Sequence, residues 1–255
     1  MPARVTVDGR VATLTLDEPE TRNAITGTET LQTILAASED ASTNIGVLVI
    51  TGAGPAFSAG GNVKDMAARQ GLFAGTPEEI MEGYRTSIQR LTRALLETDL
   101  ATIAAVNGPA IGAGFDLALG CDLRLGSTSA RFAHTFVDLG IIPGDGGAWI
   151  LPRVVGWQRA AELAFTARTV EAEEAMSLGI LLEVVDSGEL IPRAMEIAHL
   201  IASKPAHSIR LAKRLLRHAR SMDLSGFLEF SAALQAVSHH TEAHHQALAT
   251  FKRSP

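Results

Sequence analysis

Apolar and polar residues follow strand-like and helix-like patterns in turn along the first half of the chain. The stretch RVTVDGRVATLTLD predicts a β-hairpin that turns at Asp8-Gly9. The apolar runs in IGVLVITG and TIAAVNG each predict a buried strand. Helical spacing of apolar residues predicts one helix in TETLQTILAASEDAS and a long second helix from about Thr76 to Leu96. This alternation indicates an α/β fold.

The pattern changes to consecutive helices from about Glu171 onward, and LLEVVD interrupts them once. Pro205 is predicted as the first residue of one of these helices. We therefore predict a core of residues 1–190 that carries the functional site, followed by a helical C-terminal region of residues 191–255.

Composition narrows the classes of function. The 255 residues are 46% apolar and carry a net charge of −6, which argues against a nucleic-acid or anionic-membrane role set by bulk charge. The single cysteine, Cys121, excludes an internal disulfide and a cysteine-based zinc cluster. The first residues show neither a signal-peptide nor a transit-peptide pattern, so a soluble, cytoplasmic protein is expected.

Two glycine-rich loops follow the two predicted buried strands. GAGPAFSAGGNVKDM comes after VLVITG, and NGPAIGAGFDLALGCDL comes after TIAAV. Glycine lets the backbone approach a ligand closely, and free N–H groups at a helix start carry partial positive charge. Two such loops side by side would stabilise negative charge on a carbonyl oxygen, as acyl and enolate chemistry requires. The alternative is that both loops are only tight turns.

Phosphate-binding and hydrolase motifs are absent from these loops. No Gly-Lys pair occurs, so there is no P-loop, and GPAIGAG lacks the spacing of a dinucleotide-binding loop. No G-x-S-x-G elbow surrounds Ser58. These exclusions favour an oxyanion site.

Four segments carry a resemblance to a known family. PETRNAIT, FSAGGNVKDM, AVNGPAIGAGFDLALGCDL and ARFAHTFVDLGIIPGDGG resemble, in this order and spacing, the crotonase (enoyl-CoA hydratase/isomerase) family over nearly the whole chain. The resemblance implies an α/β spiral of repeated ββα units and a helical C-terminal trimerisation region, giving a homotrimer or a dimer of trimers. It also implies a coenzyme A thioester substrate, with no cofactor beyond the coenzyme A that the substrate carries.

The resemblance also implies roles for particular residues. It places the two oxyanion N–H groups at Gly61 and Ala113. Asp116 lies three residues beyond Ala113, so on a helix its side chain returns to the same face and would offer a proton acceptor beside the thioester. The alternative for Asp116 is a partner of the helix dipole. We predict Asp116 as the principal proton carrier.

One position departs from the family's hydratases, which use two glutamates. The first lies at the position of Asp116, and Phe136 occupies the place of the second, which puts ordinary hydration in doubt. Asp138 and Asp145 are nearby acids, and some isomerases of the family carry an aspartate one residue before the position of Asp145. Asp145 is either a partner of Asp116 in a proton shuttle or an N-cap of the following helix. The prediction is an enoyl-CoA isomerase or a specialised hydratase.

Coenzyme A recognition is expected from Arg22, Ala24, Ala59 and Lys64, with solvated surface charges as the alternative for the two basic residues. The segment MAARQGLFAGTPEEIMEGY is expected to shape the pocket for the acyl tail.

Two further clusters carry rival hypotheses. Four histidines in HHTEAHH would place His240 and His244 on one helix face, but they lack a further ligand, so no metal site is predicted. A basic stripe would suit an RNA-binding protein, although a solvated or subunit-facing stripe is preferred; it comprises Arg210, Lys213, Arg214, Arg217 and Arg220. A catalytically silent coenzyme A-binding or assembly subunit is the remaining alternative.

Overall fold

The chain begins with the predicted hairpin. The computed structural model describes residues 2–39 and 44–251. Strands β1 (Ala3–Asp8) and β2 (Val11–Leu16) pair antiparallel. Asp8 still pairs with Val11, so the turn consists of Gly9 and Arg10, one residue later than predicted. Gly9 has φ +57°, a left-handed conformation that glycine adopts without strain.

The main sheet has six strands. Its order is β1-β2-β3-β4-β6-β9, and every pair after the hairpin is parallel. The added strands are β3 (Val47–Gly52), β4 (Ala101–Val106), β6 (Leu123–Ser127) and β9 (Glu183–Val185). The buried strands predicted from IGVLVITG and TIAAVNG are thus β3 and β4.

Helices cover both faces of this sheet. On β3, Leu48 and Ile50 point to one face and join the core cluster that includes residues of α1 (Thr28–Glu39) and α4 (Ile88–Glu97). Val47 and Val49 point to the opposite face, where α9 (Leu190–Ala202) packs. The predicted helix TETLQTILAASEDAS corresponds to α1, and residues 40–42 of it lie outside the described residues. Burial on both faces explains the continuous apolar character of β3 and β4.

A second, three-stranded sheet stands beside the first, with the order β5-β7-β8. Its strands are β5 (Pro109–Ile111), β7 (Arg131–Ala133) and β8 (Val170–Glu171). The helices connected to it are α5 (Ala113–Gly120), α6 (Gly147–Val155), α7 (Trp157–Thr166) and α8 (Ala172–Ser177). The two sheets and the helical C-terminal region confirm the predicted fold class.

The predicted long helix from Thr76 to Leu96 is wrong in one respect, because the structure divides it. The two parts are α3 (Pro77–Thr86) and α4, which starts at Ile88. A short helix α2 (Val63–Ala68) precedes them. Ser87 between α3 and α4 has φ −119° and ψ −96°, which is not helical. The Thr86 and Ser87 hydroxyls donate to the carbonyls four residues earlier, a contact that bends helices.

The C-terminal helices are α10 (Ala206–His218), α11 (Leu224–His239) and α12 (Glu242–Phe251). Pro205 precedes α10 instead of starting it, because its ψ of 119° is extended. No residue of α10 or α11 is buried. The division between residues 1–190 and 191–255 stays a prediction, and residues 252–255 lie outside the described residues.

The described part of the chain contains no helix with the length and apolar character needed to cross a membrane.

Candidate active site

The two glycine-rich loops lie side by side, as the strand pattern predicts. The backbone of Ser58 joins them: its N–H donates to the carbonyl of Pro109 at 3.1 Å, and its carbonyl accepts from the N–H of Ile111 at 2.9 Å. A Cβ on Gly114 would lie 2.3 Å from the Ser58 carbonyl oxygen, so only glycine permits this approach. The loops therefore form one wall with backbone from two directions.

Two backbone N–H groups in this wall are available to a ligand. Gly61 and Ala113 both line a cavity of about 520 Å³. Ala113 is the first residue of α5, where an N–H has no partner within its own helix. Among the described residues, neither the Gly61 nor the Ala113 N–H has an acceptor. Gly60 brings the loops together, since a Cβ there would lie 2.7 Å from the Ala113 nitrogen.

Asp116 lies behind the cavity and does not line it. The side chain is only 2% exposed, and both of its oxygens accept hydrogen bonds. Oδ1 lies 2.6 Å from His134 Nε2, and Oδ2 accepts from the backbone N–H of Gly147 at 3.0 Å. Gly147 opens α6, so Asp116 interacts with the N-terminus of that helix. The carboxylate is therefore held firmly and has little access to a ligand.

His134 is a site residue that sequence reasoning missed. Its ring is 1% exposed and lies between Phe115 and Phe136, with centroids 5.3 Å away on each side. Its Nδ1 is buried and lacks a hydrogen-bond partner among the described residues. A histidine two residues before Phe136 is the only sequence signal, and it acquires meaning only through contact with α5.

Asp145 is the buried carboxyl group that lines the cavity. Burial and then the negative charge of Asp116 raise the pKa of Asp145 from 3.8 to about 7, while positive charge on His134 would act in the opposite direction. A carboxyl group with a pKa near neutrality both accepts and donates a proton at working pH. Asp145 thus has the access that Asp116 lacks.

Helix α4 fixes the turn that carries Asp145. The hydroxyl of Thr92 donates to the Asp145 carbonyl, and Gln89 Nε2 donates to the Gly144 carbonyl at 2.9 Å. The N-cap of α6 is Gly146, and the side chain that accepts from the first N–H of this helix is Asp116, so the N-cap interpretation of Asp145 is wrong. The carboxyl group remains free for the cavity.

The two other positions near the missing glutamate also face the cavity. Phe136 is buried and lines it, whereas Asp138 lines it but is solvent-exposed. Val137–Leu139 form a short 3-10 helix after Phe136. An apolar ring therefore occupies the buried position, and the carboxylate of Asp138 stays in water.

The residues expected to recognise coenzyme A divide into two groups. Arg22, Ala59 and Lys64 line the cavity, with Glu20 beside them. Ala24 does not: it is 5% exposed and forms a β-bridge with Gly60. Its contribution is to hold the first loop in place.

The segment predicted to shape the acyl pocket does line the cavity. It provides Met66, Leu72, Phe73 and Tyr84. Burial and then the negative charge of Asp145 raise the pKa of Tyr84, so its phenol stays protonated as a hydrogen-bond donor. This part of the cavity is mostly apolar and carries the phenol of Tyr84 as a donor.

The basic stripe and the histidine cluster contact other residues of the chain. Four of the five residues of the basic stripe lie on α10, and Arg220 follows that helix. The stripe is partly neutralised, because Lys213 pairs with Asp122 at 2.8 Å and Arg214 pairs with Asp99. Helix α11 ends at His239, so HHTEAHH is not one continuous helix, and His239 Nδ1 instead approaches His244 Nε2 at 3.2 Å. Within residues 2–39 and 44–251, no group of three or more histidine, cysteine or acidic side chains is placed to hold a metal ion.

The chain is similar in sequence and in structure to known enoyl-CoA hydratases and to a CoA-ester isomerase. The chain matches the Enoyl-CoA hydratase/isomerase family over residues 6–254. It is 33% identical to the short-chain-enoyl-CoA hydratase of Clostridium acetobutylicum over 250 residues, covering 96% of this chain and 92% of that protein. It is 32% identical to the 1,2-epoxyphenylacetyl-CoA isomerase of Escherichia coli over 252 residues, covering 98% and 95%. A crystal structure from Thermobifida fusca in complex with acetoacetyl-CoA has a TM-score of 0.87 at 32% identity, covering 93% of this chain and 94% of that chain.

The chain therefore belongs to the enoyl-CoA hydratase/isomerase family, the crotonase family, and is an acyl-CoA enzyme of that family. This confirms the family and the enzyme class predicted from the sequence. A hydratase and an isomerase are similar to the chain to nearly the same degree, so identity does not separate the two reactions.

Proposed function

We propose that this enzyme shifts the double bond of an enoyl-CoA thioester through an enolate, with Asp145 as the proton carrier. The ionised carboxylate removes a proton from C2 of a 3-enoyl-CoA, and the electron pair moves onto the thioester oxygen. The resulting carboxylic acid returns the proton to C4, which leaves the double bond between C2 and C3. Atoms and charge balance without a bound water.

The observation that carries this proposal is the position of Asp145. It is buried, it lines the cavity, and its pKa of about 7 suits both removal and return of a proton. The sequence favours Asp116 as the principal proton carrier, but the two hydrogen bonds of Asp116 and its place behind the cavity favour Asp145 instead.

The N–H groups of Gly61 and Ala113 are proposed to hold the enolate oxygen. Both face the cavity without a protein acceptor among the described residues, and oxyanion donors of this kind act most strongly where water is excluded. Arg22 and Lys64 at the same cavity would meet the phosphates of coenzyme A.

Positional isomerisation tests the proposal. The rate of isomerisation of 3-enoyl-CoA substrates is compared between wild type, Asp145→Asn and Asp138→Asn. The rate of crotonyl-CoA hydration is measured for the same proteins. Loss of a general acid-base group lowers turnover about 100- to 10,000-fold, so Asp145→Asn should fall by that range. Asp138→Asn, a change at an exposed carboxylate of the same cavity, should stay near wild type. Hydration that exceeds isomerisation would overturn the proposal.

We also propose assembly as a homotrimer or a dimer of trimers through the C-terminal helices. Leu216 is 74% exposed, Leu224 72% and Leu228 56%, on helices that bury none of their residues. Such apolar surface commonly marks a contact with another subunit. A cytoplasmic location remains a prediction from the sequence.

A further inference from the structure

A buried serine hydroxyl ties the first glycine-rich loop to the chain segment before α1. Ser58 is 0% exposed, and its hydroxyl forms two hydrogen bonds. It donates to the carbonyl of Asn23 at 2.7 Å and accepts from the N–H of Gly60 at 3.0 Å. Both bonds are buried, so breaking either would leave a polar group unpaired. Ser58 does not line the cavity, so its hydroxyl acts on the protein and not on a ligand there.

Gly60 carries this constraint to the first oxyanion donor. Its N–H is bonded to the Ser58 hydroxyl, and its carbonyl accepts from the N–H of Ile25 at 2.9 Å. In a trans peptide group the carbonyl and the N–H point in opposite directions. The bond from Ile25 to the Gly60 carbonyl therefore directs the Gly61 N–H away from Ile25. The Ser58 hydroxyl fixes the other peptide group of Gly60, a residue with φ +77°.

Ser58 also contacts the second loop. Its backbone hydrogen bonds with Pro109 and Ile111 join the two loops, and its side chain packs against Gly114. A Cβ on Gly114 would lie 2.8 Å from the Ser58 Cβ, closer than real Cβ atoms approach. Gly114 directly follows Ala113, the second oxyanion donor. Ser58 therefore contacts the neighbour of each donor in the chain.

We propose that Ser58 is a positioning residue, whose hydroxyl holds the Gly61 and Ala113 N–H groups in the arrangement that binds one oxygen from two directions. The inference rests on the proposed oxyanion role of these two groups. Oxyanion donors are effective when they lie about 2.7–3.1 Å from the position that the oxygen takes in the transition state. A small displacement of the Gly61 N–H therefore reduces stabilisation of the transition state more than it reduces substrate binding, which also depends on contacts along the coenzyme A.

Ser127 provides a matched control for substitution at Ser58. It is also 0% exposed, and its hydroxyl makes the same two kinds of hydrogen bond. It donates to the carbonyl of Asn107 at 3.0 Å and accepts from the N–H of Ser129, two residues later, at 3.1 Å. Neither bond reaches the two oxyanion donors. Ser58→Ala and Ser127→Ala each remove one buried hydroxyl with two bonds, so both should lower the urea midpoint of unfolding by a similar amount.

The first readout separates kcat from KM for the main enoyl-CoA reaction, whether isomerisation or hydration, since both place negative charge on the thioester oxygen. Loss of an oxyanion donor costs about 100- to 1000-fold in rate. A displaced donor costs less, so kcat of Ser58→Ala should fall about 10- to 100-fold, with KM within about twofold of wild type. Ser127→Ala should keep the wild-type kcat. Wild-type kcat in Ser58→Ala, or an equal fall in Ser127→Ala, would overturn the inference.

Ser58→Cys keeps a weaker donor and acceptor at the same position, so its kcat should lie between those of Ser58→Ala and wild type. If Ser58→Ala does not fold, Ser58→Cys decides the question. A fall in kcat with KM retained would support the inference, and wild-type kcat would overturn it.

The second readout does not depend on turnover. Butyryl-CoA labelled with carbon-13 at its thioester carbonyl is saturated, and the infrared stretch of that carbonyl falls in frequency when oxyanion donors polarise the bond. Wild type and Ser127→Ala should lower this frequency equally, and Ser58→Ala should lose about half of the shift or more. An unchanged shift in Ser58→Ala would overturn the inference and leave the oxyanion role of Gly61 and Ala113 intact. No shift in wild type would overturn both.

Discussion

Asp145→Asn should stabilise the protein more at pH 8 than at pH 5. The pKa of Asp145 is raised from 3.8 to about 7, so between these values the native state holds a proton that the unfolded chain has lost. Stability of the wild type therefore falls as pH rises through this window and levels off above pH 7. Asparagine does not titrate, so the variant lacks this loss.

The magnitude follows from the same numbers. Between pH 5 and about pH 7 the native state binds about one proton more than the unfolded chain. Over these two pH units the free energy of unfolding falls by about 1.36 kcal/mol per unit. The stability gained by Asp145→Asn should thus be about 2.7 kcal/mol larger at pH 8 than at pH 5. Asp145 is 5% exposed, so solvent screening removes little of this difference. Desolvation of the new amide is the same at both pH values and cancels.

Urea unfolding at pH 5 and pH 8 measures this difference, at one protein concentration because assembly contributes to apparent stability. Asp138→Asn is the control, since it removes an exposed carboxylate from the same cavity and should change stability equally at both pH values. An equal effect of Asp145→Asn at the two pH values would refute the burial argument for this residue.

Three further substitutions test the oxyanion donor, the packing around Asp116 and the assembly of subunits. Ala113→Pro removes the oxyanion N–H at a first helical position that accepts proline, so turnover should fall about 100- to 1000-fold with the circular dichroism spectrum retained; undiminished turnover would exclude this donor. Gly147→Ala would place a Cβ 1.8 Å from Asp116 Oδ1 and should destabilise the protein by about 1–3 kcal/mol, whereas Gly188→Ala meets nothing within 4 Å and should not; equal thermal unfolding of the two variants would contradict the packing. Sedimentation at micromolar concentration should show a trimer or hexamer that Leu216→Glu weakens, and a wild-type monomer would exclude the proposed assembly.

Much of the scaffold was predictable because it depends on local pattern. The apolar runs of β3 and β4 are buried on both faces of the sheet. Burial on both faces requires apolar residues at successive positions, and the sequence shows this directly. The helix break at Ser87 was missed because apolar spacing continues across it, while the hydroxyl contacts that end α3 act on the backbone.

The site was predictable in its parts but not in its arrangement. The position of Asp116 on a short helix follows from the sequence, yet its direction toward Gly147 depends on where α6 begins, 31 residues away. His134 shows the same limit, because its contact with Asp116 joins two elements through the fold of the second sheet. Contacts between residues that are far apart in the sequence therefore decide which carboxyl group reaches the cavity.

Isomerisation in deuterated water tests whether Asp145 carries the proton. Wild type is incubated with a 3-enoyl-CoA ester, and label at C2 of the substrate and at C4 of the 2-enoyl product is followed by mass spectrometry, with Asp145→Asn beside it. We expect a shifted double bond in wild type, with deuterium at C4 in the fraction of turnovers in which the acid exchanges its proton with solvent before returning it, and a loss of isomerisation of about 100-fold or more in Asp145→Asn. Unchanged isomerisation in Asp145→Asn, or addition of water as the main reaction of wild type, would contradict the role of Asp145.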